Sequence, residues 1–208
     1  MWKTYIPLIV LLICGLEAVG QGNFQYDQQS AVLPQPPNSV ANIQGNEPIG
    51  QSFTPSLSAV GFVQFELYDG QPGNGQGATL YVNLRSDSMT GAVLATSNPV
   101  FMPETPTGGG LTNFFFSGPA AVTSGTTYFF EIVVQSGDFW RVDRVGDFYS
   151  GGTMFSRGVD QHRDLWFREG IVVPEPSVAA LLLTAGSLFL YLFRRKDGKI
   201  TGAGSNLD

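Results

Sequence analysis

Five aromatic residues in the last third of the chain carry the side chains best suited to binding a ligand. Aromatic rings stack on the C–H faces of sugars, while nearby Asp, Asn and Arg groups hydrogen-bond to the hydroxyls. The same rings also suit the interior of a β-sandwich, and this interpretation is favoured because a ring within a β-period run is usually buried. The five are Trp140, Phe148, Tyr149, Trp166 and Phe167. The ligand-binding hypothesis rests on Trp140, Tyr149 and Trp166.

The candidate catalytic groups are one histidine and a scattered set of acids. His162 lies in Asp160-Gln161-His162-Arg163-Asp164, and the chain has no Gly-x-Ser-x-Gly motif to supply a nucleophile. A zinc site would need further His or Cys ligands, and Cys14 is the only cysteine. Two carboxylates can hydrolyse a glycosidic bond, but many acids in one domain make chance pairs common. The sequence therefore favours a loop histidine and a protein that is not an enzyme, with a glycoside hydrolase as a weaker alternative.

Calcium is the one metal for which the sequence offers plausible ligands. The loop at residues 69–77 (DGQPGNGQG) has Asp, Asn and Gln oxygens, and Asp138 and residues 160–164 add carboxylates. The loop lacks the alternating acids of an EF-hand, so a plain hairpin loop is favoured. We therefore expect no cofactor and no catalytic metal, with structural calcium as the alternative.

A period of two dominates the middle of the chain and predicts the strands that must position these groups. Gly, Pro, Asn and Asp clusters separate the runs, and short strands at this spacing predict an all-β fold, an antiparallel β-sandwich. Residues 21–48 are polar and proline-rich, and predict an extended lead-in with one strand. The other predicted strands are residues 49–54, 60–68, 79–85, 92–95, 100–102, 112–116, 126–134 and 139–145.

Alternation within two of these strands predicts which side chains face the core. In the run 60–68, the face with Val63, Phe65 and Leu67 is expected to be buried. The opposite face consists of Val60, Phe62, Gln64, Glu66 and Tyr68. In the run 126–134, the uniformly apolar face is expected to point inward. That face consists of Tyr128, Phe130, Ile132 and Val134.

The charge of the central part of the chain excludes several classes of partner. Residues 21–173 contain six arginines, no lysine and thirteen acids, a net charge of −7. Such a surface argues against nucleic acid and against anionic lipid or polyanions as partners.

The N-terminus has the three parts of a secretory signal peptide. Lys3 supplies a positive charge, residues 5–16 are apolar, and Ala18-Val19-Gly20 is a small-x-small cleavage site. Cleavage before Gln21 would remove Cys14, so the mature protein would have no disulfide. A lipoprotein signal at Cys14 is rejected because Ile13, the residue before it, is large.

The C-terminal end combines a rigid elbow, an apolar segment and a basic cluster. Pro174-Glu175-Pro176 favours extended backbone, and residues 177–193 are apolar over a length of about 25 Å as a helix, enough to cross a bilayer. Arg194, Arg195 and Lys196 follow as a membrane stop that the positive-inside rule keeps in the cytoplasm. Residues 197–208 form a polar cytoplasmic tail.

This tripartite end resembles the PEP-CTERM sorting signal of exported bacterial proteins. The resemblance covers residues 173–196 and implies processing by an exosortase, a membrane-embedded transpeptidase-like enzyme. Most members stop soon after the basic cluster, whereas this chain continues for twelve residues. Residues 49–172 resemble the jelly-roll-like domains that precede such signals, with residues 165–170 as the closing strand.

The sequence thus predicts an exported, membrane-tethered, non-enzymatic protein of the cell envelope or extracellular matrix. By resemblance its setting is a Gram-negative-type bacterium that makes an extracellular polysaccharide. The alternative is a carbohydrate-binding module for that polysaccharide. The predicted domains are residues 1–20, 21–48, 49–172, 173–196 and 197–208, with the central domain outside the cytoplasm and released to the cell surface or the matrix if the signal is processed.

Overall fold

The computed structural model describes residues 22–31, 39–105, 109–173 and 186–187, and residues Phe24–Val172 form one compact unit. Within these ranges the chain folds into two antiparallel sheets, which confirms the predicted all-β sandwich. The predicted signal peptide, Pro174-Glu175-Pro176, the basic triplet and nearly all of the apolar segment lie outside the described residues. Among the residues that are described, none belongs to a helix with the length and apolar character that a bilayer crossing requires.

Strands make up most of the described chain, together with one short 3₁₀ helix at Gln44–Asn46. The strands are β1 (Asn23–Gln29), β2 (Val40–Asn42), β3 (Ile49–Phe53), β4 (Ala59–Asp69), β5 (Ala78–Ser86), β6 (Val93–Thr96), β7 (Val100–Met102), β8 (Gly109–Ala121), β9 (Tyr128–Gly137), β10 (Trp140–Val145), β11 (Met154–Ser156), β12 (Val159–Asp160), β13 (Asp164–Leu165) and β14 (Phe167–Val173).

Sheet A is built around the long strand β4. One edge of β4 pairs with β8 along almost its whole length. The other edge is shared, because β14 pairs with residues 62–65 and β10 pairs with residues 67–69. Outside these, β1 pairs with β14, while β2 and β13 pair with β10. Sheet B has the order β12-β11-β3-β9-β5, with β6 and β7 both on the free edge of β5.

Backbone hydrogen bonds link the two sheets at one side, and the chain itself links them at the other. Between β6 and β7, Ser97 bridges to Phe116, and the N–H of Asn98 donates to the carbonyl of Phe115 at 2.8 Å. On the opposite side, the chain leaves sheet A after β10, contributes β11 and β12 to sheet B, and returns through β13. The described residues therefore enclose one core between the sheets.

The core forms from the inward faces that the alternation predicted. Val63, Phe65 and Leu67 are fully buried in it. Tyr128, Phe130 and Ile132 are also buried there, and Val134 packs against it. The ring of Phe130 stacks on Phe53, with centroids 4.1 Å apart and planes within 3°. Burial of these large apolar side chains supplies the main stabilisation of a domain whose sequence after Gly20 contains no cysteine.

Three of the differences from the sequence predictions concern the strands. The lead-in contains β2 as well as β1, β8 extends well beyond residues 112–116, and the short strands β11 to β13 were not predicted. Val60 also lies in the core although alternation placed it with Phe62, because the register with β8 shifts between these two residues. A β-bulge of this kind adds a residue and reverses the alternation locally.

Replacing Phe130 tests whether the stacked rings hold the sandwich together. Phe130→Ala should lower the free energy of unfolding by about 3–5 kcal/mol, because it leaves a cavity against Phe53. Phe101→Ala is the matched control, since Phe101 is 66% exposed and its loss should change stability by less than about 0.5 kcal/mol. Urea unfolding of both variants measures the difference, and similar losses would contradict this assignment of the core.

Candidate functional site

The three aromatic residues proposed from the sequence as ligand contacts are buried. Trp140 is 1% exposed, Tyr149 8% and Trp166 5%. Trp140 and Tyr149 belong to the core between the sheets. Their faces are covered by neighbouring side chains, so these rings do not offer the open surface on which a sugar could stack. The structure places them in the packing role that the alternation favoured.

Tyr149 connects two segments of the chain through hydrogen bonds of its buried side chain. Its hydroxyl accepts a hydrogen bond from the N–H of Thr54 at 3.0 Å and donates to Oε1 of Gln28 at 3.1 Å. Burial, and then the nearby Glu169 carboxyl, raise the pKa of the Tyr149 hydroxyl to about 12. The phenol therefore stays neutral and acts as a structural donor and acceptor.

Asp164 is a fully buried carboxylate with four donors around it. Ser30 and Gln51 donate side-chain hydrogen bonds at 3.2 and 3.0 Å. The backbone N–H groups of Phe148 and Tyr149 donate at 2.8 and 2.7 Å. Oε1 of Gln51 in turn accepts the N–H of Leu165 at 2.8 Å. These hydrogen bonds attach the segment that joins β10 with β14 to strand β3. Asp164 therefore has a structural role.

Other acids considered for catalysis or calcium close loops. Asp160 accepts the N–H of His162 at 2.7 Å, and the His162 side chain is 87% exposed with Nδ1 3.6 Å from that carboxylate. Asp69 accepts the N–H groups of Gln71 and Thr105. Asp138 accepts the N–H of Phe139 and the side-chain amide of Asn74, so the structure brings two of the proposed calcium ligands together. No group of three or more metal-ligating side chains occurs among the described residues.

A second aromatic cluster covers part of the outer face of sheet A. It consists of Phe24 and Tyr26 from β1, Phe62 from β4 and Phe115 from β8, and we call it the aromatic face. Phe62 is fully buried at its centre, whereas Phe24, Tyr26 and Phe115 are 41%, 42% and 38% exposed. The Phe24 and Phe62 ring centroids are 4.8 Å apart in an edge-to-face arrangement.

A glycine in β14 allows this cluster to form. Gly170 lies opposite Phe62 in the pairing of β14 with β4. A Cβ atom at this position would stand 1.9 Å from the carbonyl oxygen of Gln25, a distance that the backbone cannot accommodate. The missing side chain thus lets β1 approach β14 closely and lets Phe24 reach Phe62 across the strand between them.

Polar side chains continue the outer face next to the rings. The guanidinium of Arg168 lies 5.2 Å from the Tyr26 ring centroid and 5.1 Å from that of Trp166. Beside it, the Gln64 amide donates to Oδ1 of Asn113 at 2.9 Å. Oε1 of Gln64 and Nε of Arg168 are both buried and have no hydrogen-bond partner among the described residues. We call Gln64, Asn113 and Arg168 the polar strip.

Glu66 and Tyr68 on β4 and Asp143 on β10 lie next along the outer face. The hydroxyl of Tyr68 donates to Oε1 of Glu66 at 2.8 Å. Burial, and then the charge of Glu66, raise the pKa of Asp143 to about 6. Burial and the contact with Glu66 also raise the pKa of Tyr68. Asp143 and Tyr68 thus lie beside the Glu66 carboxyl, so this end of the outer face is acidic.

Glu169 is a buried carboxyl on the inner side of β14. It lies close to Asp27 and to the backbone of Gln28, and neither of its oxygens has a hydrogen-bond partner in the described chain. Burial, and then the charge of Asp27, raise its pKa to about 8. Asp27 itself is ionised, because hydrogen bonds from Ser56 and Leu57 outweigh the effect of burial and lower its pKa.

Comparison with known proteins adds no relative: no protein-family model matches the chain, and neither does any curated protein. The aromatic face is therefore interpreted from its own geometry. Sequence reasoning missed it, although Phe24-x-Tyr26 in an otherwise polar segment was a signal with the period of a strand. Phe115 and Arg168 carried no comparable signal.

Removal of the Asp164 carboxylate should destabilise the whole domain. Asp164→Ala leaves two backbone N–H groups buried without an acceptor and removes one of the two acceptors of the Gln51 amide, so the free energy of unfolding should fall by about 3 kcal/mol or more. Asp160→Ala is the control, because that carboxylate lies at an exposed turn. Equal denaturation midpoints for the two variants would contradict the structural role.

Glu169 should make stability fall as the pH rises. The folded protein keeps the carboxyl protonated up to about pH 8, whereas the unfolded chain ionises it near 4.5. Unfolding then releases a proton in this window, and stability drops by up to about 1.4 kcal/mol per pH unit. Glu169→Gln removes this slope, so the variant should gain stability relative to the wild type between pH 4.5 and 8. A constant difference in unfolding free energy would show that Glu169 titrates normally.

Proposed function

We propose that this chain is an exported, membrane-tethered protein of the bacterial envelope or extracellular matrix that acts by binding. The observation that carries the proposal is the use of its acids. Asp69, Asp138, Asp160 and Asp164 all accept backbone N–H groups and close loops. A carboxylate engaged in this way is held by several donors and is poorly suited to exchange protons with a substrate. These four acids therefore have structural roles, as expected in a binding module.

The course of the chain through sheet A is compatible with tethering at one end. The N–H of Ser30 donates to the carbonyl of Phe167, and Gln25 lies against Gly170, so β1 and β14 run antiparallel. The start of β1 and the end of β14 consequently lie at the same end of the sheet. In our proposal the leader that precedes β1 is removed, and the segment that follows β14 attaches the protein to the membrane.

Sorting is assigned to the segment that resembles a PEP-CTERM signal. Pro174-Glu175-Pro176 is the proposed recognition point for an exosortase, residues 177–193 the membrane helix, and Arg194, Arg195 and Lys196 the cytoplasmic stop. An acidic exported part without lysine suits a module outside the cytoplasm that does not bind nucleic acid.

Substitution in the elbow tests this proposal. In a host with an exosortase, Glu175→Ala combined with Pro176→Ala should leave the chain anchored in the membrane and unprocessed. Lys199→Ala, in the tail beyond the basic cluster, is the control and should be processed normally. Immunoblots of membrane and released fractions measure the outcome. Equal release of the domain with and without the elbow would refute the sorting role, and protection of the domain from protease added to spheroplasts would refute export.

A further inference from the structure

The exposed rings of the aromatic face are not needed to close the core. None of Phe24, Tyr26 and Phe115 belongs to the apolar cluster between the sheets. The outer face of an antiparallel sheet is commonly polar, because only one face must be buried for the fold to be stable. Three rings about two-fifths exposed around a buried fourth therefore form a surface with a use other than folding.

The aromatic face is broad and its exposed rings are similarly oriented. The plane of Phe24 lies within 14° of Tyr26 and within 27° of Phe115. From β1 across β14 and β4 to β8 the face spans three inter-strand distances, about 14 Å. That width exceeds one sugar ring, so the surface suits a chain of linked sugars better than a monosaccharide.

The polar strip indicates that the ligand is rich in hydrogen-bonding groups. Asn113 and Arg168 are partly exposed, and the Arg168 guanidinium borders the ring of Tyr26. A purely apolar partner would cover these two polar side chains without offering them hydrogen bonds, which is unfavourable for binding. Hydroxyl groups both donate and accept, and can therefore satisfy the amide oxygen and the guanidinium together.

The negative charge of the protein favours a neutral polysaccharide over an acidic one as the ligand. The central part of the chain has a net charge of −7, and Glu66 and Asp143 lie beyond the polar strip on the same outer face. An anionic polysaccharide would be repelled by these carboxylates, whereas a neutral one would not.

We propose that the outer face of sheet A is a binding site for a neutral polysaccharide chain. Sugar rings stack on Phe24, Tyr26 and Phe115, and their hydroxyls hydrogen-bond to the partly exposed side chains of Asn113 and Arg168. The proposal rests on the exported binding role given above and replaces the buried Trp140, Tyr149 and Trp166 as the contacts of a carbohydrate-binding module.

Affinity electrophoresis of the full-length chain in detergent micelles tests the site. Native gels contain hydroxyethylcellulose or amylose as neutral probes, or polygalacturonate as an acidic probe. At least one neutral probe should retard the wild type, and Phe24→Ala combined with Phe115→Ala should weaken that retardation at least tenfold. Phe101→Ala combined with Phe148→Ala is the matched control, because both side chains are more than 60% exposed and lie outside the aromatic face. It should bind like the wild type.

A second variant covers the case in which the double substitution unfolds the domain. Arg168→Gln keeps the rings and should weaken retardation at least threefold, and the neutral probe should change the fluorescence of Trp166 next to this guanidinium. Trp166→Phe should remove that change. The proposal is overturned if neither neutral probe binds, if only polygalacturonate binds, or if the control pair weakens binding as much as the test pair. These gels need no export or processing, so their failure leaves the sorting experiment unaffected.

Discussion

Burial of the Asp164 carboxylate is the constraint on which the arrangement of the sandwich depends. A charge away from water must be surrounded by donors, and Asp164 draws them from Ser30, Gln51 and the backbone of residues 148–149. These partners come from the end of β1, from sheet B and from the connection between β10 and β14. The hydrogen bonds of one carboxylate therefore hold three separate parts of the chain together.

The position of β14 in turn creates the outer face of sheet A. β14 and β10 share one edge of β4, and this arrangement brings Arg168 beside Gln64 and places Gly170 opposite Phe62. β1 then approaches over Gly170, and its rings reach those of β4 and β8. The inner side of the same strands carries Phe65 and Phe167 in the core. One set of strands thus provides stability on one face and a polar, aromatic surface on the other.

The acidic residues of the domain have different roles in the loops, on the outer face and in the interior. Those in loops accept backbone N–H groups, which stabilises turns that have no disulfide to hold them. On the outer face, burial and the charge of Glu66 instead raise the pKa of Asp143. Burial, and then the nearby charge of Asp27, raise the pKa of Glu169, so this carboxyl remains protonated inside. Each environment determines what the same functional group does.

The sequence by itself determined the all-β class and the strands β3 to β7, β9 and β10, because alternation and turn residues are local signals. It also determined the inward faces of β4 and β9. The sequence favoured burial of Trp140, Tyr149 and Trp166 over ligand binding, and the tertiary structure buries all three. Only the tertiary structure decided that Phe24, Tyr26 and Phe115 meet on the outer face. The physical reason is that exposure depends on which strands become neighbours. Residues 24, 62 and 115 are far apart in sequence, and their meeting follows from long-range pairing and from a missing side chain at Gly170, neither of which a local pattern encodes.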